Sequence, residues 1–313
     1  MFGLNSYYAT TSARDYVDQL FGKSGSAKVD TPVISTYRPP SFDAATGTTA
    51  TDRALAKIVS LIWEMENGGG EKQTSVDESN GYILNATGTD EADKIDMKAI
   101  AAFQISTGAG DDTITIKAGS LAALDAGDGN DKINLAAGYL ADVDGGAGDD
   151  AIHLAGDLAD GISGGAGNDE IKVSANTMLG ISGGDGNDTL YLEGRRIFAS
   201  GGAGDDSFTI NRDGDGVTEL TFGKGDAKDV VNTNGAIDIR LSGSAMFGPQ
   251  SASTSAALMP DDLDIAVSDN RLVLRVKDSA DMVTINFDKG ALEGKVPSFS
   301  FDMDNGSCVL RIR

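Results

Sequence analysis

The phrase Gly-x-Gly-[Asp/Asn]-Asp occurs six times, and its last residue falls at Asp112, Asp131, Asp150, Asp169, Asp188 and Asp206. The steps are 19, 19, 19, 19 and 18 residues. No other feature constrains the fold as tightly. A sustained period means that each unit makes the same turn and stacks on its neighbour, because one unit alone cannot bury its apolar face. A degenerate phrase, Gly88-Thr89-Asp90-Glu91-Ala92-Asp93, lies one step earlier, and Gly223-Lys224-Gly225-Asp226, followed by Asp229, lies after the last.

Each phrase leads into alternating apolar pairs: Ile114/Ile116, Ile133/Leu135, Ile152/Leu154, Ile171/Val173, Leu190/Leu192 and Phe208/Ile210. Period-two alternation reads as a strand with one buried face. A second short apolar stretch follows in each unit: Leu121/Leu124, Leu140/Val143, Leu158/Ile162, Met178/Ile181 and Ile197/Ala199. Small residues such as Ala118-Gly119 and Ala137-Gly138 separate the two stretches and predict a turn there. The unit is thus strand, turn, strand, Gly-rich turn, which is one coil of a narrow parallel β-roll or β-solenoid spanning 86–241.

Stacked coils put Asp112, Asp131, Asp150, Asp169, Asp188 and Asp206 in one file. Asp111, Asn130, Asp149, Asn168, Asn187 and Asp205 form a second file beside it. Carboxylates about 4.8 Å apart repel unless a cation lies between them. Calcium suits an all-oxygen site of carboxylates and backbone carbonyls, whereas zinc wants His or Cys. The central glycines Gly110, Gly129, Gly148, Gly167, Gly186 and Gly204 allow the tight turn and direct carbonyls at the ion.

Gly183-Gly184-Asp185-Gly186-Asn187-Asp188-Thr189-Leu190-Tyr191 resembles the nine-residue repeat of the repeats-in-toxin (RTX, haemolysin-type) calcium-binding proteins. The resemblance implies a calcium-loaded β-roll, with the sixth-position Asp and turn carbonyls holding ions between successive turns. It carries that role to the six Asp of the inner file, and less directly to Asp93 and Asp226. It also departs from the family pattern, since the period is 19 and only one edge carries the phrase. The expectation is therefore one row of Ca2+, about five ions or more. A one-sided 19-residue repeat is similar to those of ice-binding adhesins, but Ala109, Asp128, Ala147, Ala166, Asp185 and Ala203 stand where those carry Thr.

The flanks do not repeat. Within 1–85, Asp52 is placed to cap a helix over 53–66, with Leu55, Ile58, Val59, Ile62 and Trp63 on one face. A shorter helix is expected over 12–21. This segment reads as a cap for the open roll or as an assembly module. Residues 242–260 read as a linker. Runs at Leu263–Val267, Leu272–Val276, Met282–Phe287, Ser298–Phe301 and Cys308–Ile312 predict a small antiparallel β region over 261–313. That region resembles the one that follows RTX repeats, which implies a type I secretion signal. The fold class expected is mainly β: a parallel solenoid with an N-terminal part-helical cap and a C-terminal antiparallel region.

Composition narrows the function. With 48 acidic and 25 basic side chains the net charge is −23, unsuited to gripping a phosphate backbone. Residues 107–213 alone hold 19 acidic and 6 basic side chains. A single Cys and a single His exclude an intrachain disulfide and a His cluster. The first residues lack the basic and apolar regions of a signal peptide, and no apolar run is long enough to span a membrane. Gly161-Ile162-Ser163-Gly164-Gly165 and Gly180-Ile181-Ser182-Gly183-Gly184 match the hydrolase elbow Gly-x-Ser-x-Gly, but at a solenoid turn and with His153 on the wrong side in sequence. Residues 211–216 begin like an EF-hand loop, with Phe222 where the bidentate Glu belongs.

The expected function is a non-enzymatic, secreted, calcium-dependent structural protein that polymerises into a surface layer, filament or biofilm matrix. A homo-oligomer or polymer is the expected partner, with a cell-surface polysaccharide as a second. The alternatives are an adhesin for glycan or ice and an accessory part of an RTX enzyme.

Overall fold

The computed structural model describes residues 72–241, 258–292, 295–304 and 307–313. The two expected helices and most of the expected linker lie outside the described residues. Eight coils follow one another: β1 (Lys72–Thr87), β2 (Asp93–Ser106), β3 (Thr113–Asp125), β4 (Lys132–Ala147), β5 (Ala151–Ala166), β6 (Glu170–Asp185), β7 (Thr189–Ala203) and β8 (Ser207–Phe222). Each pairs in parallel with the next. The fold is the parallel β-solenoid that the period predicts. It starts earlier than the expected residue 86, because β1 already pairs with β2 from Lys72 onward.

The register stacks like on like. One file runs Ile114, Ile133, Ile152, Ile171, Leu190 and Phe208, all at or below 2 % exposure. On the other face Leu124, Val143, Ile162, Ile181 and Ala199 do the same. A single core runs from Ile83 to Ile312.

One local expectation is corrected. Leu158 is not a core residue: the register sets Ala159 against Leu140 and Met178, and Leu158 against Tyr139 and Thr177. A small side chain fills that layer and Leu158 is half-buried. At the expected turn, Ala118-Gly119, the pairing between coils skips one residue, from Ala118↔Ala137 to Ser120↔Tyr139, and the inward positions change parity between Ile116 and Leu121, so the chain turns a corner there. It bends again at a left-handed residue a few positions on. These residues, Asn85, Gln104, Ala123, Asp142, Gly161 and Gly180, fall at one position of successive coils with φ of 49° to 65°.

After β8 the coil divides. β9 (Lys228–Thr233) continues one face and β10 (Ile237–Leu241) the other. The C-terminal strands are β11 (Leu263–Ser268), β12 (Arg271–Val276), β13 (Met282–Phe287), β14 (Phe299–Asp304) and β15 (Ser307–Ile312), close to the expected runs. They form no separate sheet. β13 joins β9 in parallel, with β12 and β11 antiparallel beyond it, while β15 joins β10 and carries β14. The C-terminal region therefore covers the end of the roll core. Arg240 locks this junction: it is 2 % exposed and pairs with Glu219 at 2.6 Å and Asp304 at 2.8 Å. Among the described residues no helix is long and apolar enough to cross a membrane.

Coil spacing explains the glycines. A Cβ at Gly146 would lie 1.9 Å from the carbonyl oxygen of Gly127, and one at Gly165 1.9 Å from that of Gly146. Their φ values, 107° and 114°, are themselves costly for other residues. Gly165→Ala should therefore cost at least about 3 kcal/mol by combined strain and clash. Gly214→Ala, at φ 58° with no atom within 4 Å of the new Cβ, should cost about 1 kcal/mol. Urea denaturation of both variants in calcium checks this, and equal costs would refute the stacking explanation.

Candidate metal centre

The Gly-Asp turns superpose along one edge of the roll. Turn glycines donate to the next coil, as in Gly129 N to Ala147 O and Gly148 N to Ala166 O, both 2.7 Å. Gly110, Gly129, Gly148, Gly167, Gly186 and Gly204 all have φ between 109° and 140°. A Cβ at Gly129 would lie 2.2 Å from Gly110 O, so these carbonyls abut the bare face of the following glycine.

The two expected files exist and are hydrogen-bonded in opposite senses. In the inner file each backbone N–H donates to the carboxylate one coil later: Asp112 N to Asp131 Oδ1 (2.7 Å), Asp131 N to Asp150 Oδ1 (2.7 Å), Asp150 N to Asp169 Oδ1 (2.8 Å), Asp169 N to Asp188 Oδ1 (2.8 Å) and Asp188 N to Asp206 Oδ1 (2.8 Å). In the outer file each side chain accepts from the coil after it: Asn130 N to Asp111 Oδ1, Asp149 N to Asn130 Oδ1, Asn168 N to Asp149 Oδ1, Asn187 N to Asn168 Oδ1 and Asp205 N to Asn187 Oδ1. Asp and Asn serve equally there because only an oxygen acceptor is needed. The outer file is exposed and the inner one buried.

The inner carboxylates keep a second oxygen. The Oδ2 atoms of Asp112, Asp131, Asp150, Asp169, Asp188 and Asp206 are buried without a hydrogen-bond partner. Those Asp are 1–2 % exposed. In the later coils Oδ2 faces another acceptor across a glycine. The point that a Cβ of Gly145 would fill is 2.4 Å from Asp150 Oδ2 and 2.4 Å from Gly164 O. At Gly164 the same point is 2.3 Å from Asp169 Oδ2 and 2.5 Å from Gly183 O. Two oxygens with no donor between them need a cation, a proton or a bridging water.

Burial is the main reason the carboxyls resist ionisation, with neighbouring carboxylates adding to it and the ladder N–H opposing it. Asp131, Asp169 and Asp188 are pushed up to about 6, Asp150 and Asp206 to about 7, and Asp112 is raised in the same direction.

The ends of the file differ from expectation. Asp93 belongs to the ladder, its N–H donating to Asp112 Oδ1 at 2.6 Å, but its Oδ2 already accepts from Thr89 N (2.8 Å) and Thr89 Oγ1 (3.0 Å). The first turn is thus satisfied from within. At the other end Asp229, not Asp226, continues the file by accepting from Asp206 N at 3.1 Å. Burial and the nearby Asp206 push Asp229 up to about 9. Asp226 instead caps its own turn at Gly223 N, because that turn is longer. Asp281, from the C-terminal region, accepts from Gly225 N at 3.0 Å, a contact no sequence spacing announces.

Other sequence candidates are not brought together. His153 lines a groove with Asn134, Lys172 and Tyr191, whereas Ser163 lines a different groove with Asp125 and Asp144. Asp213 and Asp215 of the EF-hand-like loop are exposed, while Arg212 donates to Gly216 O and Ala236 O. No group of three or more His, Cys, Asp or Glu is gathered as a ready metal site among the described residues. The oxygen-rich feature is the file itself, one free carboxylate oxygen per coil.

Comparison with protein-family models, with curated proteins and with solved structures finds no match. What fold and site define is a β-solenoid of about eight coils with a stacked row of buried aspartates, an arrangement consistent with ion binding.

The raised carboxyls fix the pH response of the cation-free protein. Between about pH 4 and pH 7 the folded state holds more protons than the unfolded state, so its stability falls as pH rises. In chelator the urea midpoint should increase from pH 7.5 to pH 5. A midpoint that falls over this interval would show that the file is neutralised some other way.

Proposed function

We propose that the chain is an extracellular, calcium-dependent structural protein of the RTX type, which folds on meeting calcium and assembles with copies of itself. The six partnerless Oδ2 atoms carry this reading. Buried charges of one sign in a row oppose the fold, and Ca2+ suits the oxygen-only donors next to them. Asp112, Asp131, Asp150, Asp169, Asp188 and Asp206 would hold the ions, with carbonyls such as those of Gly164 and Gly183 beside them. Bound calcium would supply the positive charge that the file lacks. In calcium-poor cytosol the file disfavours folding. Outside, mass action reverses this, so the −23 chain travels unfolded and folds at its destination.

A glycan-binding adhesin is the second reading. It is favoured by an open groove of about 480 Å³ along one face, lined in part by Asn134, His153, Lys172, Tyr191 and Thr209. Lys172 sits over the Tyr191 ring at 5.2 Å, a polar and aromatic pairing of the kind sugars meet.

Melting followed by circular dichroism should show a midpoint that climbs with the logarithm of calcium concentration and much less with magnesium. Asp150→Asn gives an opposite sign in the two states. Asn keeps the acceptor for Asp131 N and turns an NH2 toward Gly164 O, so in chelator it should stabilise by about 1 kcal/mol. In calcium it should destabilise, because a charged ligand is lost. An identical melting curve in chelator and in calcium would sink the proposal.

A further inference from the structure

The residue just before each Gly-x-Gly-[Asp/Asn]-Asp phrase changes along the roll. It is Thr107, Ala126, Gly145, Gly164, Gly183 and Gly201, each five residues ahead of its Asp of the inner file. None of these four glycines has a positive φ, so it is space and not conformation that calls for glycine. At Gly145, Gly164 and Gly183 the point that a Cβ would fill lies 2.1–2.4 Å from Oδ2 of Asp150, Asp169 or Asp188. The same point lies 2.4–2.5 Å from the carbonyl oxygen of the equivalent residue one coil on. A methyl group cannot stand so close to an oxygen, and these Oδ2 atoms are buried with no hydrogen-bond partner.

The coils that carry a side chain at this position are built differently. Thr107 and Ala126 are fully buried. Thr107 lies beside Asp112 and donates its hydroxyl to Ala126 O at 2.7 Å, the carbonyl equivalent to Gly164 O. A hydroxyl proton therefore serves that carbonyl from within the chain. At Ala126 a methyl group stands where Gly145 leaves space. The backbone follows the same division. β2 and β3 stop at Ser106 and Asp125, immediately before these two residues. β4, β5, β6 and β7 run three residues further, to Ala147, Ala166, Asp185 and Ala203. Gly201 differs again. Its Cβ point is 1.9 Å from Asp206 Oδ2, but the next nearest atoms, at 2.5 and 2.8 Å, are also of Asp206, so no carbonyl of the next coil closes the gap.

We propose that this position decides which coils take calcium: ions enter at Asp150, Asp169 and Asp188, and Thr107 and Ala126 shut them out at Asp112 and Asp131. The inference rests on the calcium reading above and narrows its row from the whole file to the coils β4 to β7. An ion shared by Oδ2 and the next carbonyl must reach both at about 2.3–2.6 Å. Only a glycine lets the two oxygens converge without carbon between them. Asp206 has the glycine but lacks the converging carbonyl, so the row ends before it.

The test counts calcium bound to the full chain at saturation, by equilibrium dialysis and elemental analysis. Each variant is compared with the parent, so ions held elsewhere cancel, and circular dichroism in calcium checks that it is folded. Ala126→Gly reopens a closed coil and should gain one ion. Gly164→Ala closes an open coil and should lose at least one. Gly164→Ser, which offers Gly183 O a hydroxyl as Thr107 does Ala126 O, should do the same if the methyl group disturbs folding. Ala147→Gly, at an exposed position of the same turn, should leave the count unchanged. An Ala126→Gly protein that binds no more ions than the parent overturns the proposal. So does a folded Gly164 variant that keeps them all, or a changed count in Ala147→Gly. Each of these results leaves calcium binding itself standing. A parent protein that binds no calcium removes the calcium reading, and this proposal with it.

Discussion

A parallel backbone ladder repeats about every 4.8 Å, and it sets whatever stands at one position directly over its equivalent in the next coil. Everything else in the roll follows from that spacing. For aliphatic side chains it is favourable: Ile over Ile over Ile makes a continuous core, and each coil supplies the covering its neighbour needs. At the Gly-Asp edge it is restrictive. Carbonyl oxygens come so close to the next coil that a single Cβ cannot be fitted, and glycine becomes the only residue compatible with the distance. For carboxylates the spacing is unfavourable, because identical charges are forced together in a buried row.

The inner Asp file partly resolves that conflict with its own backbone. One carboxylate oxygen takes the N–H of the preceding turn, so the negative charge is fixed in place by the hydrogen bonds that align the coils. The other oxygen is left without a donor. The first coil shows what a self-sufficient version looks like. There Thr89 supplies both a backbone N–H and a hydroxyl to Asp93. The second coil comes near it, with Thr107 beside Asp112, although the Thr107 hydroxyl proton goes to Ala126 O, and no coil after that repeats the device. The sequence could satisfy these carboxylates internally and does so once. Six of them are left incomplete, an arrangement consistent with ion binding along the file.

How much of this could be read from sequence depended on repetition. The period located the coils, the inward Ile, Leu and Val files and both Asp files, because an error in one unit is visible against the other five. The C-terminal strands were legible from alternation and turn residues. Ala159 stands 19 residues from both Leu140 and Met178, so the period itself assigns it to the core file and only the apolarity of Leu158 pointed elsewhere. What escaped was the left-handed bend, since Asp142 or Ala123 there carries no turn-forming signature, and the contacts that occur once. Asp229 displaced Asp226 because the last turn is longer, which a residue pattern cannot measure. Asp281 reaches the end of the Asp file from far along the chain, and Arg240, Glu219 and Asp304 meet only because β10 and β15 extend the second face.

The two ends of the stack are not equivalent. At the C-terminal end, β11 to β15 continue both faces beyond the last coil, Asp281 closes the long turn, and a buried Arg fixes the junction. The ladder that begins at β1 therefore runs into a tailored terminus whose final strand keeps an apolar row on its core side. A solenoid could end in charge and stop, since edge strands are commonly blunted with charged residues to prevent addition of another chain. β14 places its two aspartates on the opposite side and engages them with arginines, which leaves the core side of the edge free of charge. That division of labour along one six-residue strand leaves the last edge of this face apolar on its core side, with its charges paired on the other.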